Sequence, residues 1–592
     1  MKKRKIAAFV SAVVAILCCA APVGADTASK SVNITVDTSK DRKAISPYIY
    51  GTNAELMKKD VSCGSVRAGG NRYSAYNWET NASNAGSDWK NMSDGYFQQS
   101  VSEELRNTPG CAALDLADVC KQKGAYPIMT LQLAGYVAAD MDGEVTKDQK
   151  APSDRWNKVE LVKGSDFSLE PDLYDNTVYM DEFVNYLVNK LGDSQNGGIK
   201  GYSLDNEPSL WKGTHSLIHP EQTSCEEIID KSVTMSKAVK AIDPNAEIFG
   251  PALFGYGAFT NFAGAPDWTE IQSLNPDYNW FIDYYLDQMK KAEDENGERL
   301  LDVLDVHFYT EAKGACGERY CSHYSDPDCV YNKLNATRSL WDDTYVEDSW
   351  ITDTGAEFIP ILPALQKSID TYYPDTKIAI TEYDFGGPYD VCGAIAEADA
   401  LGIFAQNNVY CANLFTMEAD YQMAAINLYT NYDGQGNGFG DTLVSCTSDD
   451  IETTTAYAAI NGDNTDVITL VVTNKSFSDK TTANIKLDSE YSYAHLYGIN
   501  SMAAEVFDMS DSNSAVTING SNISYEMEPR TVSLLVIAKD KSALEAKKDT
   551  SSAVSKDEKQ SSKLPLIGGI VGAAVIAGGG ALLFKKRSKK EE

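Results

Sequence analysis

Eight short apolar segments recur between Tyr48 and residue 417 of this 592-residue chain, and stretches with helical periodicity separate them. This alternation is typical of a parallel sheet built from βα units. Eight such strands predict an α/β fold of the (β/α)8 TIM-like barrel type, with long insertions between its elements. The segments are YIYGTN from Tyr48, SVRAGG from Ser65, PIMTLQL from Pro127, GYSLDN from Gly201, EIFGPAL from Glu247, VLDVHFY from Val303, KIAITEY from Lys377 and VYCANLFTM from Val409.

The pattern changes after about Ser445. DVITLVVTNKS, TANIKLD and TVSLLVIAK alternate or run apolar between turn-rich breaks, and no long helix follows. This predicts a smaller all-β sandwich domain over residues 441–539, behind a catalytic barrel over residues 46–440. The early strand SVNITVD lies in residues 26–45, has no helical partner, and is expected to pair with the sandwich.

Both ends of the chain indicate export and anchoring. A basic cluster, an apolar run and a small-residue cleavage site predict a signal peptide over residues 1–25. Residues 540–563 are polar and predict a flexible linker. Residues 564–584 are apolar and uncharged, which predicts a transmembrane helix, and the basic tail 585–592 is expected on the cytoplasmic side. A sortase signal at LPLIG is the less favoured alternative, because Ile567 occupies the position of the usual threonine.

Charge and cysteine usage narrow the possible partners. The formal net charge of −33 excludes nucleic acid as an expected partner, since phosphate binding needs clustered Lys and Arg. Cys316, Cys321, Cys329 and His323 lie close in sequence and suggest either a zinc site or a disulfide. The exported location favours the disulfide, with a pairing that the sequence does not identify.

Two predicted strands end in carboxylates. The fourth ends in Asp205-Asn206-Glu207, and the seventh ends at Glu382. Because active sites of such barrels lie at the carboxyl ends of the strands, these glutamates are expected to face each other across the barrel mouth. One carboxyl group to protonate a leaving oxygen and one to act at the anomeric carbon is the pair that glycoside hydrolysis requires. A surface or capping role explains either glutamate alone, but explains the pair less well.

Three longer motifs resemble the signatures of glycoside hydrolase family 44. They are RAGGNRYSAYNWETNASNAGSDW from Arg67, YSLDNEPSLWKGTHSLIHP from Tyr202, and ITEYDFG around Glu382. The resemblance covers roughly residues 45–535. It implies a barrel with a β-sandwich and a retaining endo-β-1,4-glucanase or xyloglucanase activity, with Glu207 as the acid/base and Glu382 as the nucleophile.

The resemblance also implies supporting roles. Asn206 would hold the sugar 2-hydroxyl, and Arg67 and Tyr309 would keep the nucleophile ionised and oriented. His307 is a candidate mouth residue, with a core histidine as the alternative. Trp78 and Trp211 are candidate stacking platforms, with ordinary packing as the alternative. The eighth segment has no tryptophan where many barrel glycosidases carry one.

The expected substrate is a plant cell-wall β-glucan polysaccharide, met at the outer face of a bacterial cell by a monomer that its C-terminal helix anchors in the membrane. A β-mannanase or xylanase on the same barrel and a non-catalytic surface glycan-binding protein are the alternatives. The chemistry requires no cofactor. The sequence leaves room for a structural calcium ion without assigning its ligands, because Val444 stands where a calcium loop from Asp433 needs a glutamate.

Overall fold

A closed barrel of eight parallel strands forms the centre of the computed structural model, which describes residues 30–319, 324–354, 357–510 and 515–544. Each predicted apolar segment contributes one barrel strand, so the predicted fold class is confirmed. The strands are continuously buried because helices cover the outside of the barrel while side chains fill its interior. The barrel strands are Gly51–Asn53, Ser65–Ala68, Tyr126–Leu131, Gly201–Leu204, Glu247–Leu253, Val303–Tyr309, Lys377–Asp384 and Cys411–Leu414.

Helices pack around this barrel. The helix Met180–Leu191 precedes the fourth barrel strand, Cys225–Ile242 precedes the fifth, and Val391–Gln406 precedes the eighth. The α-helices are Asn71–Ser74, Cys111–Lys123, Met180–Leu191, Trp211–Thr214, Cys225–Ile242, Tyr256–Asn261, Trp268–Leu274, Phe281–Asn296, Pro327–Asn335, Trp350–Asp353, Ile361–Tyr372, Val391–Gln406 and Asp420–Thr430. The 3₁₀ helices are Pro47–Ile49, Gly86–Trp89, Tyr96–Gln99, Lys147–Gln149, Pro208–Leu210, Gly314–Cys316 and Ala336–Leu340.

Long insertions follow the second and third barrel strands, on the side where the strands end. We call this side the mouth. Short strands organise these insertions into two three-stranded sheets above the barrel. The sheets consist of Ser83–Asn84, Met92–Asp94 and Gly143–Glu144, and of Tyr136–Ala138, Trp156–Glu160 and Thr177–Tyr179.

A second domain of β-strands follows the barrel. Its strands form one large, mostly antiparallel sheet around an apolar core of its own. The N-terminal strand Lys30–Asp37 pairs antiparallel with Thr442–Ser448 and parallel with Thr481–Leu487, so both ends of the described chain contribute to this domain. The other strands are Lys43–Ala44, Ala456–Asn461, Asn464–Asn474, Tyr493–Asn500, Ala503–Asp508, Val516–Asn519, Asn522–Met527 and Thr531–Ala538.

The strand Thr531–Ala538 is buried on both faces and joins the two domains. Leu535 and Ile537 belong to the sandwich core, whereas Leu534 and Val536 belong to the core that continues into the barrel. This explains why TVSLLVIA reads as a continuous apolar run in place of an alternating one.

A buried ion pair crosses the same interface. Lys475 Nζ lies 2.8 Å from Asp399 Oδ2, and the two side chains are 2% and 1% exposed. The hydroxyls of Thr337 and Tyr457 also donate to Asp399, at 2.6 and 2.5 Å. Burial raises the pKa of Asp399, but Lys475 and these hydroxyls outweigh it, so the net pKa is lowered. The buried negative charge of Asp399 is therefore balanced by Lys475 and by the two hydroxyl donors.

Several predictions concern residues outside the described ranges. These are the signal peptide, the linker beyond residue 544, the transmembrane helix, the basic tail, and Cys321 and His323 of the cysteine cluster. Among the described residues, no helix has both the length and the apolar character that crossing a bilayer requires.

Candidate active site

The ends of four barrel strands bring the predicted site residues together at the mouth. Arg67 lies in the second barrel strand, Glu207 follows the fourth, His307 lies in the sixth and Glu382 in the seventh. One oxygen of Glu207, one oxygen of Glu382 and a ring nitrogen of His307 lie within 4.8 Å of one another. The two carboxyl groups thus share one small polar site.

Glu382 is held by two donors on opposite sides. Arg67 Nη1 donates to Oε1 at 2.8 Å, and the Tyr309 hydroxyl donates to Oε2 at 2.9 Å. Burial raises the pKa of Glu382 above its ordinary value, His307 and the Arg67 guanidinium oppose this shift only in part, and the charge of Glu207 adds to it. The donors favour the ionised form of this carboxyl group and fix its orientation.

Glu207 has fewer hydrogen-bond donors than Glu382 to stabilise a negative charge. Burial raises its pKa to about 7, Arg67 opposes this shift, and the carboxylate of Asp88 adds to it. Among the described residues, its hydrogen-bonding side-chain neighbour is His307, whose Nδ1 lies 2.9 Å from Oε1. Glu207 is therefore the member of the pair that keeps a proton near neutral pH.

A strained turn presents Glu207. Asp205 and Glu207 both have left-handed backbone angles, with φ of 65° and 45°, which cost non-glycine residues of the order of 1–3 kcal/mol each. The buried Asp205 carboxylate holds the turn by accepting from the Ser74 hydroxyl at 2.5 Å and from the backbone N–H groups of Leu133 and Ala134 at 2.5 and 3.1 Å. These bonds tie the tip of the fourth strand to the loop after the third strand and to the helix Asn71–Ser74.

Asn206 lies between the turn and the arginine. Its Oδ1 accepts from Arg67 Nη2 and from the Gly70 backbone N–H, both at 3.0 Å. Its Nδ2 makes one longer contact, 3.3 Å to Asn71 Oδ1. The amide is thus fixed with its donor group toward the mouth loops.

His307 is fully buried and also contacts the catalytic carboxyl groups. It is therefore both a core histidine and a residue of the mouth, the two alternatives that the sequence left open. Its Nδ1 also lies 3.4 Å from Glu382 Oε2. Burial lowers its pKa to about 4, the Glu382 carboxylate raises it, and Arg67 lowers it further, so the ring is neutral at pH 7. Nε2 is buried and has no hydrogen-bond partner among the described residues.

Among the residues that the structure describes, one group of side chains that can ligate a metal lies close enough together to hold an ion. This group consists of Glu207, His307 and Glu382. The Arg67 guanidinium contacts Glu382 directly, with a side chain that is fully buried. A cation bound by the three residues would face this fixed positive charge. The arrangement suits proton and covalent chemistry better than metal binding.

The prediction that Trp78 and Trp211 form stacking platforms is wrong. Both side chains are completely buried. Trp78 stacks on Phe183 with ring centroids 5.1 Å apart, and Trp211 packs beside His219. Their rings stabilise the packing of the mouth insertions, and a sugar cannot reach them.

Other aromatic side chains in the mouth loops are at least partly exposed. Trp89, in the loop after the second barrel strand, is 60% exposed and follows Asp88, which contacts Asn71. Trp350, in the loop after the sixth strand, is 44% exposed. Phe415 follows the eighth strand and packs over Gly70. Sequence reasoning missed these three residues because aromatic residue type alone does not distinguish packing from exposure.

Comparisons with known proteins agree on one family. The profile described as glycoside hydrolase family 44 matches residues 82–312. Endoglucanase A of Paenibacillus lautus is 44% identical over 526 residues, which cover 88% of this chain and 74% of that protein. The family 44 xyloglucanase of Paenibacillus polymyxa, solved with xyloglucan, is 43% identical with a TM-score of 0.82, covering 86% of this chain and 100% of that one. The family 44 endoglucanase Cel44A of Clostridium thermocellum is 47% identical, with a TM-score of 0.81 and the same coverage.

Proposed function

Since this chain belongs to glycoside hydrolase family 44, we propose that it is a retaining, endo-acting hydrolase of β-1,4-glucan backbones such as cellulose, mixed-linkage glucan and xyloglucan. The observation that carries the mechanism is that one oxygen of Glu207 lies within 4.8 Å of one oxygen of Glu382. Carboxyl groups about 5–5.5 Å apart are typical of double displacement, whereas inverting enzymes need about 6.5–9.5 Å to admit a water.

The first step forms a glycosyl-enzyme. A Glu382 oxygen bonds to the anomeric carbon, the glycosidic C–O bond breaks, and the proton of Glu207 passes to the departing oxygen. Arg67 and Tyr309 support the ionised state of Glu382, and the pKa of about 7 supports the protonated state of Glu207. The single negative charge of the pair therefore resides on Glu382 when the substrate arrives.

The second step reverses these roles. Once Glu382 is esterified its charge is gone, and the Glu207 carboxylate takes a proton from the water that attacks the anomeric carbon. The bond between this carbon and Glu382 then breaks, which restores the carboxylate. Two inversions leave the configuration of the sugar unchanged.

Neighbouring side chains act as positioning groups. The amide oxygen of Asn206 is occupied by Arg67 and Gly70, so its Nδ2 remains to donate to a sugar hydroxyl. Neutral His307 lies close to both carboxyl groups through Nδ1. Nδ1 can accept a hydrogen bond from protonated Glu207 in one tautomer and donate one to the Glu207 carboxylate in the other, and neither tautomer adds a charge to the site. The exposed rings of Trp89 and Trp350 are the proposed stacking surfaces for backbone sugars.

Product analysis tests this function. The full-length protein is incubated with xyloglucan, mixed-linkage glucan, carboxymethylcellulose, mannan and xylan, and early products are followed by size and by proton NMR. We expect a rapid fall in polymer size on the glucans and a β-anomer as the first product. An initial α-anomer would exclude double displacement, and cleavage of mannan or xylan alone would replace the proposed substrate class.

We further propose that the enzyme acts at the outer face of a bacterial cell, anchored by the apolar segment 564–584. The support is the order of segments along the sequence, namely an export signal, the hydrolase, a polar linker, the apolar segment and a basic tail. Detergent extraction of membranes should release protein that still carries the KKRSKKEE tail. Protein that lacks this tail and stays with the cell wall until muramidase treatment would instead support sortase attachment.

A further inference from the structure

The seventh barrel strand has a bulge at the residue before Glu382. Its pairing with the sixth strand is regular up to Ile380, opposite Val306, and resumes at Glu382, opposite His307. Thr381 is therefore an extra residue, and the pairing with the eighth strand shifts at the same place. A bulge bends its strand, increases the local twist and often re-aims a side chain beside an active site. The direction of Glu382 thus depends on how this bulge is held.

A hydrogen bond between two fully buried side chains holds the bulge. The Thr381 hydroxyl donates to Asp305 Oδ1 at 2.6 Å. Asp305 lies in the sixth strand two residues before His307, so the two side chains share one face of that strand. Its Oδ2 makes a long contact of 3.5 Å with the hydroxyl oxygen of Ser203, in the fourth strand. Because the fourth and sixth strands are not neighbours, this contact crosses the barrel interior, below the two catalytic carboxyl groups.

A second bulge, in the fifth strand, holds the other catalytic glutamate. Ala252 is an extra residue between the register partners of Asp305 and Val306, and its φ is 53°. Its carbonyl oxygen accepts from the backbone N–H of Glu207 at 3.0 Å. The sixth strand therefore has a bulged neighbour on each side, and each bulge adjoins one catalytic glutamate.

The Asp305 carboxyl group also interacts electrostatically with the catalytic residues. Burial raises its pKa, and Arg67, His307 and Thr381 oppose this shift only in part. The negative charge of Glu382 adds to the shift. Removal of this carboxyl group would change the charge around Glu382 together with the shape of the bulge. Removal of the Thr381 hydroxyl isolates the hydrogen bond.

We propose that Asp305 and Thr381 are positioning residues for the nucleophile. Their hydrogen bond fixes the shape of the seventh-strand bulge, and the bulge aims the Glu382 carboxylate at the anomeric carbon. Both residues are fully buried and act through Glu382. The inference rests on the proposed function, because it needs Glu382 to be the nucleophile. A misplacement of about 1 Å between reacting groups can cost about 10²-fold in rate, so one hydrogen bond below the site can have a large effect.

Thr381→Val tests the proposal, because valine has the shape of threonine without its hydroxyl. We expect kcat/KM on mixed-linkage glucan to fall about 10–100-fold. It should fall by the same factor on a 2,4-dinitrophenyl cello-oligosaccharide, since a displaced nucleophile slows attack whatever the leaving group. Thr381→Ser returns the hydroxyl and should recover most of the loss. Wild-type kcat/KM in Thr381→Val, or a loss on the polymer alone, would overturn the positioning role.

A matched control breaks the same kind of bond elsewhere. The Thr337 hydroxyl donates to the buried Asp399 at 2.6 Å, at the interface between barrel and sandwich. Thr337→Val should lower the temperature of unfolding, as Thr381→Val should, but it should leave kcat/KM unchanged. An equal loss of kcat/KM in both valine variants would show that turnover follows general stability, which excludes a specific role for Thr381.

A Glu382→Ala background distinguishes aiming of the nucleophile from binding of the substrate. With azide as the nucleophile no protein carboxylate has to be aimed, so adding Thr381→Val should leave the azide-dependent rate unchanged. The same loss in both backgrounds would show that the bulge shapes the substrate site, which overturns the positioning role and leaves the proposed function intact. Wild-type polymer cleavage by Glu382→Ala without azide would overturn both, because Glu382 would then not be the nucleophile.

Discussion

Two glutamates at opposite ends of the barrel show how the same residue type acquires opposite properties. Glu207 follows the fourth strand at the mouth, and Glu247 begins the fifth strand at the other end. Lys377 donates to Glu247, and so do the hydroxyls of Tyr126 and Tyr410, at 2.5 and 2.6 Å. Within the described part of the chain, the side chain that hydrogen-bonds to Glu207 is His307.

The pKa values follow from this difference in partners. Burial raises the pKa of Glu247, but the hydrogen bonds from Lys377, Tyr126 and Tyr410 outweigh it, so the net pKa is lowered. Burial raises the pKa of Glu207 to about 7, and Arg67 opposes the shift only in part. A carboxylate that stabilises the fold is surrounded by donors, whereas a carboxyl group that must release and regain a proton lacks them.

The largest effect should come from removing either mouth carboxylate. We expect Glu207→Ala and Glu382→Ala to lower turnover on polymeric glucan by about 10²–10⁴-fold or more, since each removes a group that makes or breaks bonds at the anomeric carbon. Thermal unfolding should remain close to that of the wild type. Glu247→Ala is the matched control at the other end, and the remaining folded protein should keep its turnover.

Small-molecule rescue distinguishes the two roles. Azide should restore activity to Glu382→Ala and yield an α-glycosyl azide, because the anion replaces the missing nucleophile. Glu207→Ala should keep most of its glycosylation rate on substrates with activated aryl leaving groups, which need no proton. Near-wild-type polymer cleavage by either variant contradicts the assignment.

Sequence reasoning reached most of this site because the constraint is local. An apolar strand that ends in Asp205-Asn206-Glu207 predicts a polar tip, and the rule that barrel sites lie at strand ends then places Glu382 opposite. The aromatic residues were predicted less well. Trp78 and Trp211 have the same local polarity as an exposed tryptophan, and only the insertions that fold over them decide their burial. The Asp399–Lys475 pair also depends on segments far apart in sequence.

Substitution of Glu247 should lower the stability of the fold, whereas substitution of the mouth carboxylates should lower turnover. Glu247→Ala removes a carboxylate that accepts from three side chains, so we expect a loss of about 1–3 kcal/mol in the free energy of unfolding at pH 7. The folded pKa lies below the ordinary value of 4.5, so the contribution is present above that value and is lost as the pH falls. Denaturant titrations of wild type and variant should therefore converge in acid, and a constant difference would exclude the charge as its cause.

The pH profile should show the raised pKa of Glu207 directly. The first step needs Glu207 protonated, so kcat/KM on polymer should fall about tenfold for each pH unit above about 7. A 2,4-dinitrophenyl cello-oligosaccharide has a leaving group that departs without a proton, and its profile should lack this basic limb. A basic limb that is the same for both substrates would assign the ionisation to another group.

The smallest effect should distinguish exposed from buried tryptophan at the mouth. Trp89 is 60% exposed beside Asp88, so Trp89→Ala should weaken stacking on a backbone sugar by about 0.5–1.5 kcal/mol and raise KM by about two- to tenfold, with kcat nearly unchanged. Trp78→Phe is the control, because it keeps a ring on Phe183 in a site that no sugar reaches. Initial rates on mixed-linkage glucan measure both variants. A KM that rises for Trp78→Phe but not for Trp89→Ala would show that the mouth positions its substrate through packed insertions, and the exposed ring would then have no part in binding.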